Sequence, residues 1–187
     1  MNIPLHYHDL SIEVFDDHLF ADKGDQALQY DHVYQPDQHK KFMPVSQQAV
    51  VVYRNDVKIA STILLAAAGA TSATRDSIVI DEGNLVTRCC NIVFSLALPW
   101  LTLNWMTEAD CATCFSIHPF QDGYITHGEL SIARIDRNGN VCWSFSGADI
   151  FVRLEGENPF QLYDDHIALT DFNGRQYKID YNGETIQ

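Results

Sequence analysis

Short runs of alternating apolar and polar side chains fill most of this chain, and turn residues separate them. In "VCWSFS", Val141, Trp143 and Phe145 share one face, and Cys142, Ser144 and Ser146 share the other. That period of two marks a strand covered on one face. "ADIFVRLEG" points Ile150, Val152 and Leu154 the same way, and "WLTLNW" alternates again. Hairpins are expected wherever tight-turn residues join two such runs. "AVVVYR" and "VKIASTILL" flank Asn55-Asp56, and "DSIVID" and "NLVTRCCNIVFSLAL" flank Glu82-Gly83. "SIEV" and "HLFA" flank Asp16-Asp17. "LLAAAGATSA" is compatible with a short helical turn. The pattern predicts a mainly β, antiparallel fold of about ten to twelve hairpin-linked strands, arranged as a two-sheet sandwich or an open barrel with minor helix. Residues 22–48 are polar, carry two prolines and lack periodicity, so they read as a long loop inside one domain spanning 1–187.

Two stretches repeat. "IARIDRNGNV" at 132–141 and "IALTDFNGRQ" at 167–176 place Asp, Asn and Gly alike, 35 residues apart. Asp bonds its own backbone in turns, and Asn and Gly accept positive φ, so Asn138-Gly139 and Asn173-Gly174 are expected at hairpin tips. The Asp-x-x-Gly-x-x-x-Trp of Asp136–Trp143 resembles the blade repeats of quinoprotein-like β-propellers, over 132–183. The second copy has Lys178 where the repeat has Trp. Two partial blades do not close a propeller. The resemblance implies antiparallel hairpins and carries no cofactor or site.

Charge narrows the partners. The net charge is −13, from 25 acidic and 12 basic residues. Residues 1–31 hold seven acids against Lys23, a net of −6, and 136–187 a net of −5. Such a surface disfavours nucleic acid and anionic membranes and suits a basic protein partner. No run of apolar residues is long enough to span a bilayer, and the N-terminus lacks a signal pattern, so a cytoplasmic protein is expected.

The chemistry-bearing residues form no strong constellation. Five cysteines are an odd number for a disulfide framework. Cys111 and Cys114 form a CxxC pair without a second pair. Cys89 and Cys90, as neighbours in a strand, should point to opposite faces, so no metal site is expected. Gly139 follows Asp136 too closely for a calcium-binding loop. No catalytic signature or cofactor motif is present. His127 and Glu129 lie at i, i+2 on one strand face, and together with Asp149 they are the candidate ligand-binding residues. Trp100, Trp105, Trp143, Phe115 and Phe120 are expected in the core, or at a binding patch if Trp100 and Trp105 are exposed. The function expected is a non-enzymatic interaction protein resembling immunity or inhibitor proteins. The alternative is a pocket between sheets built on His127, Glu129 and Asp149, and self-association through strand edges is a third outcome.

Overall fold

The computed structural model describes residues 2–20, 30–36, 43–153 and 158–187. It is mainly β and antiparallel, with sixteen strands and one 3-10 helical turn, Arg75–Ser77, among those residues. The first sheet contains β1 (Asn2–Tyr7), β2 (Leu10–Asp16), β3 (His32–Tyr34), β4 (Ser46–Arg54) and β5 (Val57–Ala66), in the order β1-β2-β4-β5-β3. The second runs β6 (Ile78–Asp81), β7 (Asn84–Cys89), β8 (Ile92–Ala97), β9 (Thr102–Glu108). The third runs β10 (Cys114–Phe120), β11 (Gly123–Gly128), β12 (Ile132–Asp136), β13 (Val141–Phe145). The fourth has β14 (Phe160–Leu162), β15 (Ile167–Thr170) and β16 (Gln176–Ile179), extended by a bridge from Ile179 to Thr185.

The expected sandwich or barrel thus becomes four sheets, with more strands than the pattern suggested. They stack in chain order. One apolar cluster joins the first and second sheets through Ile12, Val52, Leu85 and Phe94. A second joins the second and third through Val86, Val93, Ile117 and Ile135. A third joins the third and fourth through Ile125, Ile132, Ile167 and Leu169. Consecutive meanders stacked this way are arranged like successive propeller blades. No described helix is long and apolar enough to cross a membrane.

Several turns fall where expected. Asn55 and Asp56 both have positive φ (50° and 62°) between β4 and β5, and Glu82-Gly83 (46° and 81°) joins β6 to β7. Others do not. The first hairpin turns at His8-Asp9, with His8 at φ 52°, and Asp16-Asp17 merely ends β2. The loop expected over 22–48 contains β3 and the start of β4; its residues 22–29 and 37–42 lie outside the described residues. The helical turn comes after the alanine-rich stretch rather than within it. "RCCN" is not continuous strand: Cys90-Asn91 forms a tight turn, with Cys90 at φ 53°. That left-handed residue cancels the strand alternation. Both thiols therefore lie in the cluster between the first and second sheets instead of facing apart, Cys89 Sγ 3.6 Å from the Ser46 and Leu64 carbonyls, and their interaction pulls the Cys90 thiol pKa down and pushes that of Cys89 up. All five cysteines are free, with Cys111 and Cys142 exposed and the others buried.

One device recurs between sheets. Trp105, on the last strand of the second sheet, donates its indole N–H to the Arg137 carbonyl at 2.8 Å and lies on Gly139 in the β12–β13 turn. Trp143, on the last strand of the third, donates to the Tyr181 carbonyl at 3.0 Å and lies on Gly183. Tyr34, on the outermost strand of the first, donates to the Leu101 carbonyl at 3.1 Å in the β8–β9 turn. Each sheet reaches an aromatic polar group onto the third hairpin turn of the next. The structural counterpart of Asp136–Gly139 is therefore Asp180–Gly183, not Asp171–Gly174, which closes β15–β16 at the other end of its sheet.

Candidate functional site

Successive turns of a meander alternate between its two ends, and the candidate residues gather at the end away from the tryptophans. The connection from β13 to β14 passes there, and residues 149–151 act as a strap between the third and fourth sheets. His127 Nε2 is 3.0 Å from the Phe151 carbonyl oxygen. A carbonyl only accepts, so Nε2 carries the proton and the tautomer is settled. The Phe151 N–H returns a bond to the Glu129 carbonyl at 2.7 Å. Asp149 accepts from the Asn173 side chain, and the Phe172 N–H donates to the Ile150 carbonyl at 2.8 Å. His127, Glu129 and Asp149 thus meet on one strap, Glu129 through its backbone.

His127 is buried, and its ring stacks on Phe160 with centroids 4.9 Å apart. Burial depresses its pKa to about 4, only partly opposed by the bond to Phe151. It is neutral at physiological pH.

Beside it opens a cavity of about 260 Å³ lined by Asp76, Ser116, His118, His127, Asn158 and Phe160. The strand β10 presents Ser116 and His118 on one face, with Ser116 Oγ 2.8 Å from His118 Nε2. The His118 ring lies 5.1 Å from Phe160. Burial lowers its pKa, and Asp76 on the 3-10 turn counteracts this. A neutral imidazole holding a hydroxyl beside aromatic walls can accept or pass one hydrogen bond to a small polar ligand. Sequence reasoning found His127 but overlooked Ser116 and His118. Their signal was the same i, i+2 spacing that singled out His127 and Glu129.

Two buried charges were also overlooked. Arg88 is 4% exposed and sends Nε and Nη2 to the Phe115 carbonyl at 3.4 and 3.3 Å; its Nη1 has no hydrogen-bond partner among the described residues. Burial lowers its pKa. Asp110 is also buried, and its oxygens accept from the backbone N–H groups of Ala112, Thr113, Leu130 and Ser131 and from the Ser131 hydroxyl, at 2.7–3.2 Å. That carboxylate ties the β9–β10 connection to the β11–β12 turn. Among the described residues, no group of three or more His, Cys, Asp or Glu is placed to hold a metal ion. Trp100 is exposed at the β8–β9 turn, whereas Trp105 is half-buried.

The chain matches no protein family and no curated protein. Solved structures of similar shape include BamB from Moraxella catarrhalis, a β-propeller, with a TM-score of 0.49 and 10% identity over 74% of this chain and 42% of that one. The CNH domain of AfRom2 has a TM-score of 0.48 and 13% identity over 75% of this chain and 46% of that one. The computationally designed Ika8 protein has a TM-score of 0.49 and 10% identity over 98% of this chain and 59% of that one. The chain spans less than two thirds of each.

Proposed function

We propose that this protein is a non-enzymatic interaction module that binds a basic protein partner through its acidic surface. The observation that carries this reading is the set of exposed carboxylates without an opposite charge. Asp76, Glu108, Asp164 and Glu184 are exposed, and none of them is in an ion pair among the described residues. Unpaired surface charge of one sign accelerates encounter with a partner of the other sign. The buried titratable groups support the same reading, because His127 and Asp110 are committed to holding backbone in place. The test is capture by the tagged protein from its own cell extract, with affinity measured for the captured protein. A basic protein should be retained, with affinity falling at least tenfold from low to moderate salt and again in Glu108→Gln/Asp164→Asn/Glu184→Gln. An affinity indifferent to salt and to these substitutions overturns the proposal.

A second reading rests on the cavity holding Ser116 and His118: a small polar ligand bound beside the strap. A ligand that binds only the folded chain raises the melting temperature. A thermal-shift panel of small metabolites should then give a hit that His118→Ala abolishes.

A further inference from the structure

The first three sheets each have apolar side chains packed against both faces: Phe20, Tyr30, Ile63 and Leu65 cover the outward side of the first, and the inter-sheet clusters cover the rest. Among the described residues the fourth sheet has such a cluster on its inner face alone. Its outward face is a shallow concavity of about 540 Å³, lined by Gln161, Tyr163, His166, Ala168, Arg175 and Lys178 among others. The charged side chains in this lining, Arg175 and Lys178, are cations on a chain with 25 acids and 12 bases. Neither forms an ion pair with a carboxylate among the described residues. Arg175 lies over the Tyr177 ring, 5.4 Å from its centroid. Asp165, just outside, bonds His166 at 2.6 Å and is felt electrostatically by Lys178.

We propose that a second copy of this chain covers this face with the acidic end of its own first sheet. Two features of that end fit. Its described residues 2–20 and 30–31 carry five carboxylates and no Lys or Arg; among them Asp31 is exposed and outside any ion pair of the described residues, while Asp9, also exposed, bonds Arg54 at 2.7 Å. Beside the first sheet, Leu19 and Val45 are exposed, as is Met43, and they supply apolar surface for Ala168 and the Tyr163 ring. Joining fourth face to fourth face would instead set Arg175 and Lys178 against their own copies, which like-charge repulsion disfavours. The contact is therefore head-to-tail and extends the order in which the sheets already stack. Used reciprocally by two copies, it closes a ring of eight sheets, within the four to eight blades of closed propellers.

Size-exclusion chromatography with light scattering tests this on the full chain. At micromolar concentration and low salt, the mass should be about twice 21.2 kDa. High salt should lower it toward one copy, because exposed charges are screened. Arg175→Glu/Lys178→Glu should weaken self-affinity at least tenfold while leaving the circular dichroism spectrum unchanged. A single-copy mass at every concentration overturns the proposal. So does association indifferent to both salt and charge reversal, or a monomer that uses this face to bind a polyglutamate peptide. Loss of basic-partner binding in the test above leaves this measurement unaffected, so the two proposals fail separately.

Discussion

Three turns share the sequence Asp-x-Asn-Gly, and two of them, at Gly139 and Gly174, have almost the same backbone in unlike surroundings. In both, the Asp side chain accepts from the N–H four residues on, at 2.8 Å, and the glycine N–H bonds back to the Asp carbonyl. Gly139 and Gly174 have φ of 87° and 83°. Gly139 lies under Trp105, where an added Cβ would come 2.6 Å from the ring, while at Gly174 such a Cβ would meet nothing within 4 Å. Local sequence makes the turn, and the neighbouring sheet decides what the turn is for. One end of the stack is closed by aromatic rings seated on glycines, the other by polar bonds around the strap at 149–151.

The largest effect should come from removing a ring. Trp143→Ala takes away the cover of Gly183, the bond to Tyr181 and packing against the third apolar cluster, and should cost about 3–5 kcal/mol in urea melts. A loss below about 1 kcal/mol would show the ring to be decorative.

Acid should act at the opposite end. His127 titrates at about 4 when folded, against about 6.5 in the unfolded chain, so the folded state binds fewer protons between these values. Its contribution is complete above pH 6.5, is lost as pH falls from 6.5 to 4, and does not decline further below that. The loss is roughly 3 kcal/mol, and His127→Gln should flatten it. Hydrogen exchange should show protection falling at 149–151 and 171–174 before it falls at Gly139 and Gly183. The reverse order would break the contrast between the two ends.

The glycines give the finest test. Gly139→Ala combines left-handed strain with a collision against Trp105 and should cost about 2–3 kcal/mol. Gly174→Ala has only the strain and should cost about 1 kcal/mol. Equal costs would mean that the ring moves aside freely.

Much of this architecture was legible in the sequence. Alternation located most strands from Ser46 onward, and Asn55-Asp56, Glu82-Gly83, Asn138-Gly139 and Asn173-Gly174 all turned out to be tips. The division into four sheets was not legible, because alternation shows that a face is covered without showing by what. The repeat was matched in the wrong register for a similar reason: Asp171 imitates Asp136 locally, and only the position of Trp143 picks out Asp180. Cys90-Asn91 was hidden because cysteine seldom adopts positive φ. Of the site, His127, Glu129 and Asp149 do meet, but as fasteners of the strap. Ser116 and His118 showed the same i, i+2 spacing, but what that spacing is for emerges only once the 3-10 turn, β10 and Phe160 come together around the cavity.

Because the apolar clusters of the described residues join each sheet to its neighbours in chain order, the molecule has a mechanical grain. Pulled along the stack, its inter-sheet joints bear load in series, and a break at one need not propagate to the others. The fourth sheet, with three short strands and one buried face, is where peeling would start. The first, with side chains packed on both sides, would let go last.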